Sequence, residues 1–322
     1  MRVVALVPGG IGDQILFFPT LEDLKRQYPQ AEVDVVVEPR ARAAYRVCPH
    51  VDRVLAFDFK GRNGPADWLN LLGVVRDGEY NIGLSLGSSW TVGFLLWLMG
   101  IPVRVSFTKG KKSTLLTNPV QLNPDQYAAA LYHDLLKGLG VTTPAPDLKV
   151  SIPRSDLEWA EGERQRLGLD TAGAGYILIH GGSSQMARTK GIDKIYPVEK
   201  WQQVIQNIQA RQPDLPIAIV QGPEDQEWAA AMLQSCPGIK VTSPDDIGKL
   251  AALIAAASLM LCTDSAPMHL GVAVKTYLVA LFGPTDPAKL LPRDDRFIGI
   301  KSPTGQIADI APEKILEKIW GG

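Results

Sequence analysis

Short apolar runs alternate along this chain with longer stretches in which apolar residues recur at helical spacing. In the first half the runs are 3–7 (VVALV), 32–37 (EVDVVV), 53–57, 82–86 and 103–106, and the helical stretches are 14–27, 66–76, 91–99 and 126–139. In the second half, runs at 176–179, 217–220, 240–242, 258–262, 277–282 and 297–300 alternate with helical stretches at 156–167, 199–212, one starting at 226–227, 247–257, 266–274 and 312–320. Strands buried on both faces read as continuous apolar runs, and parallel strands need a crossover helix between them. The pattern therefore predicts an α/β chain of doubly wound parallel sheets. Between the halves, 141–153 holds three prolines and few core residues. It reads as a linker between a domain over 1–150 and a second over 151–322, with the closing helix a candidate to pack back on the first.

The polar turns at the C-terminal ends of the predicted strands carry the candidate chemistry, because ligands of open parallel sheets bind outside the carboxyl ends of the strands. The longest such stretch is 263–287, TDSAPMHLGVAVKTYLVALFGPTDP. Thr263-Asp264-Ser265 are good helix caps, and a helix over 266–274 would turn its free N–H groups and positive dipole end toward phosphate or sugar oxygens. His269, four residues after Ser265, returns to the face near that turn. The competing reading makes Asp264 a plain cap and His269 a core histidine.

Other turns add to the set. Pro8-Gly9-Gly10-Ile11-Gly12-Asp13 follows the first strand, but the dinucleotide fingerprint fails because Ile15 stands at its third glycine position. The glycines suit a tight turn that displays Asp13 at a helix start, as a functional carboxylate or a simple cap. Gly87-Ser88-Ser89 is a similar turn, and His180-Gly181-Gly182-Ser183-Ser184 leads into a loop with Arg188, Lys190 and Lys194. Gly222 is followed by Glu224, Asp225 and Glu227, carboxylates suited to ribose hydroxyls. Arg40 and Arg42 leave the second strand, and Lys109, Lys111 and Lys112 surround Gly110 as a candidate anion contact.

At 322 residues the chain has the length of about two domains, and with 46% apolar and 21% charged residues its composition is globular. The formal charge of −1 gives no overall field toward nucleic acid or membrane, so an anionic partner would be met by local patches. Cys48, Cys236 and Cys262 are far apart with no CxxC spacing and read as reduced thiols. The N-terminus enters a strand without signal-peptide features. The longest apolar run, 90–99, ends at Gly100-Ile101-Pro102, short of the roughly 20 residues of a membrane span. These features lead to the expectation of a cytoplasmic protein. Trp90, Phe94 and Trp97 fit a membrane-surface contact or, as the preferred reading, a core helix.

The strand-GGIGD-helix opening, the HGGSS loop followed by Lys194-Ile195-Tyr196-Pro197 and Trp201, the glycine-acidic turn and the TDSAPMHL…FGPTDP pair together resemble glycosyltransferase family 9, the ADP-heptose:lipopolysaccharide heptosyltransferases. The resemblance implies a GT-B fold, two Rossmann-like domains facing across a cleft, the first for the acceptor and the second for the nucleotide-sugar. It implies an inverting transfer that needs neither metal nor cofactor, and the chain has no Asp-x-Asp. In that family's terms Asp13 is the catalytic base, Ser184 and Lys194 hold the diphosphate, and Ser183 belongs to the same nucleotide-sugar site. Asp264, Ser265, Ala266 and His269 hold the donor sugar and phosphates, and the ribose falls to Asp225, aligned with one deletion, with Glu224 and Glu227 as alternatives. The segment between Ser184 and Lys194 is longer than the family pattern, leaving Lys190 and Arg188 as alternatives to Lys194, and Ala266 stands where the family has glycine.

The acceptor implied is a lipopolysaccharide core or related lipid-linked saccharide at the inner membrane face, with Arg40, Arg104, Lys109, Lys111 and Lys112 as candidate contacts; no nucleic acid is expected. Rival readings are a nucleotide-sugar epimerase of the same architecture and a catalytically idle nucleotide-sugar or glycan-binding protein. An NAD-dependent dehydrogenase is weakened by the missing glycine and by Pro39-Arg40 after the second strand, where an acidic ribose ligand would stand.

Overall fold

The computed structural model describes residues 1–61, 63–110, 114–170, 175–182 and 194–321. The chain forms two compact units, Met1–Ser151 and Ile152–Gly322. In the first unit the strands are β1 (Arg2–Val7), β2 (Glu32–Val37), β3 (Arg53–Ala56), β4 (Ile82–Ser85), β5 (Val103–Thr108) and β6 (Asn118–Gln121). They form one parallel sheet in the order β3-β2-β1-β4-β5-β6. The winding reverses between β1 and β4, paired Val3 to Ile82, so the ends of these two strands frame the switch point where such sheets bind ligands.

β1 and β2 are almost wholly buried, which their unbroken valine-rich runs require. Over one face lie helices Pro65–Asp77 and Trp90–Leu98, whose Leu71, Val75 and Leu96 pack with Val4, Leu6 and Val36. Helix Ile11–Gln27 packs with a shorter helix, Ala128–His133. The helix expected over 126–139 is α-helical only to His133; it continues as a 3-10 turn, Asp134–Leu139, and stops at Gly140 in the left-handed region at φ 82°. In this unit two elements have no sequence forecast. The 3-10 segment Pro39–Val47 mixes arginine and alanine without a clean period, and β6 is an edge strand holding Pro119, with Val120 its buried residue.

Helix Trp90–Leu98 departs from the expectation of a core helix. It carries no charge and is apolar all round, so burying Gly93 and Leu96 against the sheet leaves Trp90, Phe94 and Trp97 outside. Their rings form a ladder with centroids 6.0 and 5.9 Å apart, and the two tryptophans are 69% and 52% exposed.

The second unit repeats the winding with β7 (Ile177–His180), β8 (Ile217–Val220), β9 (Lys240–Thr242), β10 (Leu259–Thr263), β11 (Leu278–Phe282) and β12 (Phe297–Lys301), ordered β12-β11-β10-β7-β8-β9, all parallel. Its switch point lies between β7 and β10. Trp201, Tyr196 and Trp228 anchor the core over one face. The closing helix, Pro312–Trp320, lies against helix Val198–Arg211 of its own unit, burying Ile315 and donating from Trp320 Nε1 to Asn207 at 3.2 Å. Among the described residues no helix is long and apolar enough to cross a membrane. The three cysteines are buried free thiols, and burial pushes Cys48 up to about 12, which makes it a poor nucleophile.

Candidate active site

At the first switch point the chain leaves β1 through Pro8, Gly9 and Gly10. Gly9 has φ +143°, a conformation that disfavours any side chain, and a Cβ there would lie 2.3 Å from Asp13 Oδ2. The glycine thus lets a carboxylate fold over the turn. Helix Ile11–Gln27 begins one residue after its cap, Gly10, and Asp13 reaches back so that Oδ2 accepts the Gly10 N–H at 2.8 Å. Asp13 is thus the third residue of the helix and not its cap, though one of its oxygens serves the N–H of the cap. The other, Oδ1, accepts the Tyr132 hydroxyl at 3.0 Å, and the side chain stays partly exposed at the sheet's C-terminal edge. Beneath it, buried Gln14 donates to Val7 O at 3.0 Å and accepts from Tyr45 Oη at 2.8 Å, fixing the first turn of the helix.

Beside it, β4 ends in the second polar turn. Ser106 Oγ donates to Gly87 O at 2.6 Å, and the Gly87 N–H donates to Ser85 Oγ at 3.2 Å. Ser89 then caps helix Trp90–Leu98 by position, and its hydroxyl shares a hydrogen with Thr91 Oγ1 at 2.5 Å.

In the second unit Asp264 leaves the end of β10 with its carboxylate 5% exposed. Oδ2 lies 2.6 Å from Lys194 Nζ and accepts from Thr285 Oγ1 at 2.7 Å, so Asp264 joins the two polar loops that the sequence placed at one sheet edge. Lys301 Nζ holds the second loop by donating to Thr285 O at 2.8 Å and to Gly283 O. Helix Ala266–Ala273 is capped by Ser265, not by Asp264, which corrects the plain-cap reading. Its first turn offers fewer amides than expected, since Pro267 has no N–H and Met268 donates to Ser265 O at 3.1 Å. His269 on this helix is buried.

A second cluster links the end of β7 to the same edge. Ser265 Oγ lies 3.1 Å from Thr263 O and 3.3 Å from His180 Nδ1, while His180 Nε2 is 3.5 Å from Asp225 Oδ2. Asp225 accepts the Gly222 N–H at 3.2 Å and packs on Gly182, where a Cβ would come within 1.9 Å of its Oδ1. It is therefore buried and turned toward the sheet. Glu224 and Glu227, the other two ribose candidates, are exposed.

The structure thus brings Lys194, Asp264, Ser265, Ala266, His269 and Asp225 to one edge of the second sheet and Asp13 to the corresponding edge of the first. Ser183, Ser184, Arg188, Lys190, Lys111 and Lys112 lie outside the described residues. Lys109 is exposed just beyond β5, at the edge that carries Asp13, and Arg40 is exposed on the 3-10 segment. Arg104 is not at that edge. It sits near the start of β5, and its guanidinium donates to Ile101 O at 2.7 Å, Leu115 O at 2.6 Å and Pro102 O at 3.2 Å, a structural clamp on the turns of the opposite edge. Among the described residues no cluster of His, Cys, Asp and Glu is arranged to hold a metal ion.

Sequence reasoning did not single out His180, Thr285 or Tyr132. The first two lie inside motifs that it quoted, but Tyr132 is 119 residues from Asp13 and carries no local signal.

The model of glycosyltransferase family 9 (heptosyltransferase) matches residues 68–319, a span that begins after Asp13. Lipopolysaccharide heptosyltransferase 3 of Escherichia coli is 28% identical over 85% of this chain and 81% of its own. Photosynthetic NDH subunit of subcomplex B 1, a chloroplastic protein of Arabidopsis thaliana, is 24% identical over 96% of this chain and 71% of its own. A glycosyl transferase family 9 structure from Veillonella parvula superposes with a TM-score of 0.82 at 21% identity, covering 99% of this chain and 96% of that one.

Proposed function

The chain belongs to glycosyltransferase family 9 and has the GT-B fold, and from that premise we propose that it transfers a heptose from ADP-heptose to a hydroxyl of a lipopolysaccharide core or related glycan, inverting the anomeric centre without a metal. The observation that carries this reading is the Asp13 carboxylate, partly exposed at the first switch point and oriented by Gly10 N–H and Tyr132 Oη. Asp13 takes the proton from the acceptor hydroxyl as that oxygen bonds to the anomeric carbon. The bond from that carbon to the diphosphate oxygen breaks with its electron pair, and ADP leaves. The transition state has oxocarbenium character, as in related glycosidic chemistry.

On the donor side, Lys194 has two effects under this reading. Its ammonium neutralises the buried Asp264 carboxylate 2.6 Å away, which would otherwise repel a diphosphate. It also supplies positive charge where the leaving phosphate develops negative charge. The end of helix Ala266–Ala273 and Ser265 complete the anion-binding surface. The absence of Asp-x-Asp from the sequence supports the metal-independent form.

A thermal-shift screen with ADP, UDP, GDP, CMP and NAD tests the donor, since a ligand at 100 times its Kd stabilises the folded state by about 2.7 kcal/mol. The expected result is a shift with ADP, followed by ADP release from ADP-heptose when a core-oligosaccharide acceptor is present. A shift with UDP or GDP alone keeps the transferase and discards the heptose. A shift with NAD alone overturns the reading. The similarity to the Arabidopsis NDH subunit, spanning 96% of this chain, favours a second reading, a protein of this fold that serves in an assembly without turnover. ADP binding with no transfer to any core acceptor would select it.

The same proposal includes contact with the membrane that carries a lipid-linked acceptor. The exposed Trp90, Phe94 and Trp97 ladder supports it, because tryptophan pairs an apolar body with a polar N–H and partitions to membrane interfaces. Flotation with anionic phospholipid vesicles is expected to recover the protein. A Trp90→Ser, Phe94→Ser, Trp97→Ser variant is expected to lose at least about tenfold in partitioning, each aromatic ring contributing apolar area. Equal flotation of the two proteins would rule this surface out.

A further inference from the structure

We infer that Tyr132 is a positioning residue for Asp13, its hydroxyl fixing the orientation of the carboxylate; this rests on the reading of Asp13 as the general base. An ionised carboxylate only accepts hydrogen bonds, so the 3.0 Å contact at Oδ1 has Tyr132 as donor. Burial, and then the Asp13 charge, push the Tyr132 phenol well above its ordinary value, so it remains a donor throughout the working pH range. With Gly10 N–H on Oδ2, each carboxylate oxygen has one protein donor, and the side chain stays partly exposed.

The tyrosine is itself held in place. The next residue, His133, meets Asp23 Oδ2 at 2.8 Å, and Asp23 also accepts from Thr143 Oγ1 at 2.7 Å and pairs with Arg26 at 2.5 Å. Burial works to raise the Asp23 carboxyl, but these hydrogen bonds and the Arg26 charge together hold it below its ordinary value. Asp13 and Asp23 lie on one helix, so the helix that carries Tyr132 is clamped to the helix that carries the base.

The other ionisable groups of the elements packed on helix Ile11–Gln27 have different partners or lie elsewhere. Tyr45 donates to Gln14, Lys137 pairs with Asp134, Arg2 pairs with Glu32, and Arg40, Arg42 and Arg46 are exposed on the 3-10 segment. On the helix itself, Lys25 pairs with Asp52, and Glu22 stands beside Asp23 toward its C-terminal half. Among the described residues, Tyr132 is the ionisable side chain hydrogen-bonded to Asp13.

Tyr132→Phe keeps the ring and removes the hydroxyl. Turnover is expected to fall about tenfold with KM for the nucleotide-sugar unchanged, because a carboxylate without that donor samples other orientations. Thr143→Val loosens the Asp23 clamp and keeps the Tyr132 hydroxyl; it is expected to lower Tm and leave kcat within about twofold. A Tyr132→Phe enzyme with native kcat overturns the inference, as does an equal fall in kcat for Thr143→Val. Asp13→Asn separates the two levels. If it is inactive while Tyr132→Phe behaves as native, the base stands and only the positioning role fails; if it is active, both fail.

Discussion

Asp13→Asn is expected to lower turnover by about 100- to 10,000-fold while leaving nucleotide affinity nearly unchanged. The substitution is isosteric. The Asn side-chain oxygen can still cap the Gly10 N–H, and its amide nitrogen then faces the Tyr132 hydroxyl, which is able to accept. The helix start and the Gly9 turn therefore survive, and the variant lacks a group able to take a proton. Rates of ADP release and ADP titration calorimetry report the two quantities separately. Turnover within tenfold of the native enzyme would remove Asp13 from the mechanism. Lost ADP binding would instead make it a donor ligand.

Lys194→Met is expected to weaken ADP binding by at least about tenfold and to destabilise the protein by about 1.5–3 kcal/mol, the range for a hydrogen bond to a charged group. The lower half of that range is favoured because Lys194 is 20% exposed and solvent screens part of the pair. What remains is a buried Asp264 carboxylate with Thr285 Oγ1 as its hydroxyl donor. The double variant Lys194→Met, Asp264→Asn removes the uncompensated charge, so stability is expected to return. Affinity is the discriminating readout. If ADP binding stays weak in the double variant, the ammonium contacts the diphosphate directly. If binding recovers with stability, Lys194 serves only to neutralise Asp264, and the phosphate contact must be sought elsewhere.

The two experiments address halves of the proposed chemistry that belong to different units of the chain. Their outcomes are independent. A dead Asp13→Asn enzyme that still binds ADP, together with a Lys194→Met enzyme that does not, would match a division of labour between base and donor site.

Much of this organisation was legible in the sequence because it is local. A buried parallel strand is encoded by its own unbroken apolar run, as in 3–7 and 277–282, and a helix start by the residues that cap it, as at Ser265. The first helix was read as starting three residues late, because its cap, Gly10, has no side chain to signal it. The turns containing Asp13, Asp264 and Asp225 were placed at strand ends for the same reason. β6 escaped because an edge strand needs one buried residue rather than a run, and its Pro119 argued against a strand.

What local pattern does not encode is which residues meet once strands are ordered. The order β3-β2-β1-β4-β5-β6 put β4 beside β1 and made a switch point of their ends. Arg104 was read as a ligand contact from its charge, yet its position near the start of β5 sent it to the opposite edge. Helix Trp90–Leu98 is apolar on every side, so its composition gave no means of telling which face the sheet would cover. The Asp13–Tyr132 bond joins residues 119 apart, and the Lys194–Asp264 pair residues 70 apart. The sequence by itself determined the elements and the polar turns between them, through short-range periodicity and capping. The partners of each site side chain were decided by the tertiary structure, because a hydrogen bond depends on distances of a few ångströms that only the packed sheets and helices create.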